Sequence, residues 1–142
     1  MHENRHYWPK GPTLAELAAV LVIICTLVFM AAPRYFRLVI RSKQAEAKML
    51  LEQIYLMELT YHHEYDTYWG NGIEASATSP GTFGRLGVDI MPSALYSYSI
   101  IQNESTFSVT ATSGALDKDS IKDTWIINQN GYLTCTSDDA LN

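Results

Sequence analysis

A chain of 142 residues with a formal net charge of −5 is one domain by size. The charge is unevenly placed: Arg34, Arg37, Arg41, Lys43 and Lys48 follow the longest apolar run, whereas after Met49 three bases stand against twelve acids, about −9 on the distal part. An acidic distal part excludes a basic nucleic-acid-binding face there, and no Ser/His/Asp set, phosphate-cradling glycine loop or acid/base carboxylate pair points to an enzyme.

Met1 to Gly11 is short, polar and slightly basic, with no apolar core of its own. That is not a secretory signal peptide by itself; on composition alone it reads as a disordered cytoplasmic tail. From Leu17 to Ala32 there is no charged residue. Read from Pro12 to Phe36, this stretch makes a helix of roughly 37 Å, long enough for a hydrocarbon core of about 30 Å. One carboxylate, Glu16, lies in its first turn, where an acid is costly and needs a partner. Near the far end Pro33 removes a backbone donor to the Phe29 carbonyl, which predicts a bend there.

Lys10-Gly11, then Glu16 as the fifth residue after the glycine, then an apolar run interrupted by Pro33 and followed by Tyr35, resembles the N-terminal signature of type IV pilins, shared by the pseudopilins of type II secretion. The resemblance covers roughly residues 10–60. It implies a leader over 1–11, cleaved by a prepilin peptidase between Gly11 and Pro12, and methylation of the new N-terminus at Pro12. The chain departs from the family at Pro12, where a phenylalanine or another hydrophobic residue is usual; most peptidases cut a tertiary X-Pro amide poorly. The resemblance further implies that Glu16 meets the N-terminal amine of a neighbouring subunit, and that residues 12–36 form a transmembrane and assembly helix in which Pro33 marks a locally melted stretch. Residues 37–142 are then the globular head. Implied partners are further copies of the chain, the peptidase, an inner-membrane assembly platform and the membrane before assembly. The implied location is the bacterial inner membrane as precursor and a cell-surface or periplasmic filament afterwards. Counted by Lys and Arg alone, the cations after the run would keep the C-terminus in the cytoplasm; the resemblance demands the reverse orientation.

From Arg34 the helix is predicted to continue to about Tyr65. Ala47, Leu50, Leu51, Ile54, Met57, Tyr61 and Tyr65 recur at three- and four-residue steps as one apolar face, while Glu46, Glu52, Glu58 and Glu64 spread over the remaining surface. Tyr55, Tyr61, Tyr65, Tyr68 and Trp69 form an aromatic cluster around its end, expected to pack on a sheet. His62, His63, Glu64 and Asp66 supply too few ligands on one face for zinc. Residues 65–87 read as loop, with Gly70, Gly72, Pro80 and Gly81. Four antiparallel strands follow, over 94–101, 105–112, 124–128 and 132–136, the last two joined by Gln129-Asn130-Gly131, a hairpin turn signal. The expected fold is α+β, a long N-terminal helix whose second half is covered by an antiparallel sheet of about four strands, which is also the pilin head.

Asp117, Asp119 and Asp123 have the one-, three- and seven-position spacing of a hard-cation loop, although Ile121 stands at the fifth position and the central glycine is missing. A solvated acidic turn between strands is the plainer account of them. Some pseudopilins hold calcium in a loop before their last strands, so the resemblance implies calcium as the one candidate cofactor. Cys25 lies in the apolar run and Cys135 in the head, so the two are expected as free thiols. Three functions follow: a structural subunit of a pilus-like filament; a minor pilin or pseudopilin of a short periplasmic filament; and a single-span membrane protein with a small binding head that forms no polymer.

Overall fold

The computed structural model describes residues 11–114, 116 and 122–138. It divides into two compact units, one ending at Arg37 and the other beginning at Leu38.

One helix, α1, spans Leu14–Tyr65, 52 residues, and remains helical across Pro33. It stops where Asp66 takes a left-handed backbone, φ 55°, and its N–H bonds to the His62 carbonyl at 2.9 Å. Aspartate tolerates that conformation better than most residues, so the stop is chemical as well as geometric. In the first unit the apolar side chains face outward: Leu21 is 64% exposed and Phe29 82%. None of the most apolar window of α1 is buried by the protein itself, and the helix is long and apolar enough to cross a membrane.

The second unit is built on the distal part of α1. The buried positions are Gln44, Ala47, Leu51, Ile54 and Glu58, an alternation of three- and four-residue steps that keeps one stripe inward. Burying Leu51 or Ile54 contributes about 1.5–3 kcal/mol each. The predicted face is therefore right from Ala47 through its centre and differs toward its C-terminal end. Tyr65 is 55% exposed, and Glu58, expected on the surface, is fully buried. It falls on the inward stripe one turn after Ile54, and one of its oxygens accepts the Trp69 N–H from the chain that folds back over the helix end.

Five strands make one antiparallel sheet in sequence order: β1 (Ile73–Ala75), β2 (Tyr96–Gln102), β3 (Phe107–Ser113), β4 (Thr124–Asn128) and β5 (Leu133–Ser137). The last four agree with expectation. The loop reading of 65–87 is corrected by β1, which pairs Ile73 with Ile100 and Ala75 with Tyr98. It is corrected also by a 3₁₀ stretch, Pro80–Leu86, that buries Phe83 and Leu86. Strict alternation puts Tyr96, Tyr98 and Ile100 of β2, Phe107, Val109 and Ala111 of β3, and Trp125 and Ile127 of β4 into the core with the helix stripe. The β4–β5 turn closes through Gly131, φ 75°, with the Asn128 side chain accepting the N–H groups of Asn130 and Tyr132. Tyr55 and Tyr68 both pack on Phe107, and Trp69 meets Phe83 edge-on at 6.0 Å. The aromatic cluster thus packs on the sheet as expected, Tyr65 apart.

Candidate functional site

In the first unit the candidate residues lie around the start of α1. Gly11, Pro12 and Thr13 are exposed and precede the helix. Thr13 is the cap. Its N–H donates to Glu16 Oε2 at 2.7 Å, and the Glu16 N–H donates to Thr13 Oγ1 at 3.3 Å. This reciprocal pair satisfies two donors that a helix start otherwise leaves open. Glu16, which by its position needs a partner, therefore has one within its own chain. The arrangement was legible as Thr-x-x-Glu, a signal the sequence reading passed over. Chemically, the carboxylate is exposed and set at the positive end of the helix, where a negative charge is stabilised. Pro33 lies in α1, exposed, with Tyr35 and Phe36 in edge-on contact two residues further on.

Of the candidate cation ligands, Asp117 and Asp119 lie outside the described residues. Asp123 is fully buried at the start of β4. Its Oδ2 accepts the Tyr96 hydroxyl, and the Trp125 indole N–H at 2.8 Å. Its backbone N–H donates to Ser113 Oγ at 2.8 Å. Oδ1 has no hydrogen-bond partner among the described residues. Those residues hold no group of three His, Cys, Asp or Glu that could take a metal ion. Asp123 ties β2, β3 and β4 together at one point.

A second buried carboxylate was not singled out from sequence. Glu58 Oε2 accepts the Trp69 N–H at 2.8 Å, while Oε1 is buried without a partner. Burial pushes this carboxyl up to about 7, the Trp69 hydrogen bond opposing only part of the effect. The signal was the stepping 44-47-51-54-58, which puts Glu58 on the inward stripe. At the other end of that stripe Gln44 Nε2 donates to Asp138 Oδ1 at 2.8 Å, fastening the chain after β5 to the helix. Cys25 and Cys135 are both free thiols.

Comparison with known proteins gives one informative result. The chain is 39% identical over 59 residues to the type IV major pilin protein PilA of Myxococcus xanthus (strain DK1622). The match covers 42% of this chain, and the chain spans 27% of the length of that relative. No family model and no solved structure matches. The resemblance read from Gly11, Glu16, Pro33 and Tyr35 is borne out by this relative together with the apolar N-terminal helix.

Proposed function

We propose, from the kinship of this chain with a type IV major pilin, that it is a structural subunit of a pilus-like filament and polymerises through the first half of α1. The observation that carries the reading is the apolar window of α1, which the protein itself leaves wholly uncovered. Such a surface is stable in lipid, or against equivalent helices once it leaves lipid. In the precursor the membrane covers it; in the filament other copies do. A prepilin peptidase would cut after Gly11, which is exposed and precedes the helix. The freed and methylated Pro12 amine of one copy would then take Glu16 of the next from its Thr13 cap, because a full positive charge in low dielectric outcompetes neutral N–H donors. An inner-membrane platform would extract the subunits, with the head outside the cytoplasm. A minor or pseudopilin role differs only in filament length and place.

The test is mass spectrometry of the N-terminus from membranes and from sheared filaments. The expected result is a chain beginning at methylated Pro12 in fibres of more than one copy. A chain retaining Met1 in membranes, with no material in the sheared fraction, would favour a single-span protein that forms no polymer.

For calcium at Asp117, Asp119 and Asp123 the support within the described residues is the unpaired Oδ1 of Asp123. Millimolar calcium is expected to raise the head's melting temperature in the unsubstituted chain and not in Asp119→Asn; equal melting with and without calcium removes the proposal.

A further inference from the structure

The head carries a groove of about 220 Å³ lined by the apolar Met49, Leu50 and Met91 and by two carboxylates, Glu46 and Asp89. Met49 is 71% and Met91 65% exposed, so both present apolar surface to an incoming group. Methionine side chains adapt to the shape of what they receive. Glu46 is shared with Lys43 at 3.1 Å, whereas Asp89 makes no ion pair among the described residues. The groove therefore presents a soft apolar surface with net negative charge.

The complementary surface lies on the same chain. Arg34, Arg37 and Arg41 fall at three- and four-residue steps on α1, so they share one helix face with Leu38 between them. Leu38 is 66% exposed. One apolar side chain among three cations complements apolar methionines that share a groove with two carboxylates. These cations also stand where the distribution of Lys and Arg about a membrane span opposes the proposed orientation. An acidic partner outside the membrane supplies a physical reason for them, because it neutralises charge that would otherwise repel between neighbouring copies.

We propose that the groove of one copy takes the Arg34–Arg41 face of a second copy, Leu38 entering between Met49 and Met91 and an arginine pairing with Asp89. This rests on the filament reading above and names a second contact in the polymer, distinct from Glu16. The occupant is committed to a second copy because every copy brings both halves, and a heterologous contact of this kind whose rotation does not close propagates rather than ending at a dimer.

The test uses the full chain in filament-forming cells, with Cys25→Ala and Cys135→Ala removing the native thiols. Leu38→Cys combined with Met91→Cys is expected to give a ladder of covalent multimers on oxidation of sheared filaments, and neither change alone a ladder. Asp89→Lys is expected to lower filament yield by about tenfold with precursor levels in the membrane unchanged, and adding Arg37→Glu to restore it. Filaments that form without any ladder, or full yield from Asp89→Lys, would overturn the contact while leaving the subunit reading intact. Absence of filaments from the unsubstituted chain would sink the subunit reading and this contact with it. Loss of binding to anionic-lipid vesicles on Arg37→Glu, with no ladder, would put lipid headgroups in place of the second copy.

Discussion

At Glu58 a carboxyl is sealed between the helix end and the chain that folds back over it, and burial raises it from 4.5 to about 7. The folded state then holds a proton that the unfolded state has already lost at intermediate pH. The group's contribution is fully present below about pH 4.5 and is lost as pH rises through about 7, about 3 kcal/mol in all. The head is thus expected to resist urea better at pH 5 than at pH 8 through this residue, and Glu58→Gln to flatten the difference. An unchanged pH slope in that variant would contradict the assignment. Gly131 is the second residue with a sharp consequence: at φ 75° an added Cβ would sit 3.2 Å from the Tyr55 hydroxyl. Gly131→Ala is expected to cost about 1–2 kcal/mol in urea unfolding, through both strain and crowding. Glu16 differs from both, being exposed and already in use as a cap partner. Thr13→Ala removes the hydroxyl that accepts the Glu16 N–H and keeps the carboxylate with its backbone donor, whereas Glu16→Ala removes the carboxylate. Filaments from the first and none from the second, at equal membrane insertion, are expected if Glu16 acts between subunits; equal yields from both would reduce it to a cap.

Among the elements, α1 does two jobs with one backbone. Its first half offers apolar side chains all round, and its second half offers a stripe to the sheet. Pro33 lies in the first half, where the missing N–H leaves the Phe29 carbonyl in need of another partner. The helix of the free chain is continuous there. In a tight bundle the segment from Met30 to Tyr35 is the cheapest place to unwind, since one of its bonds is already absent and Ala31 and Ala32 hold little packing. Pro33→Ala is expected to stiffen that segment and impair filament formation, read from yield and from a filament map. An unbroken helix through residues 28–36 in unsubstituted filaments would refute the role. In the sheet, β1 is three residues long and depends on its pairing with β2, so it is the strand most exposed to loss when Ile100 is shortened.

For the molecule as a whole, every residue of the hydrophobic core follows Ser42, beginning at Ala47, and the Gln44–Asp138 bond closes the head beside it. A fragment beginning at Ser42 therefore retains the complete core and sheds the uncovered apolar surface. It is expected to run as a soluble monomer in size-exclusion chromatography and to unfold in one cooperative step. Aggregation despite good expression would place the boundary elsewhere.

The long helix, its uncovered apolar half, the last four strands and the Asn130-Gly131 turn were legible because each is written as a local period or a local backbone preference. Gly11, Glu16, Pro33 and Tyr35 were legible as a fixed spacing, and Thr13 was available in the same way, since a capping box closes within four residues. Tertiary structure alone decided the rest. Ile73–Ala75 has no period of its own and becomes a strand only because β2 offers it an edge. The stepping of α1 puts Glu58 on the inward stripe, but the backbone N–H that meets its carboxyl is there only because Trp69 lands on it when the chain returns over the helix. Asp123 owes its inward carboxylate to Tyr96 and Trp125, which the sheet register brings together from two strands. In each case the deciding partner is distant in sequence or set by a turn outside any period, and local patterns hold no record of it.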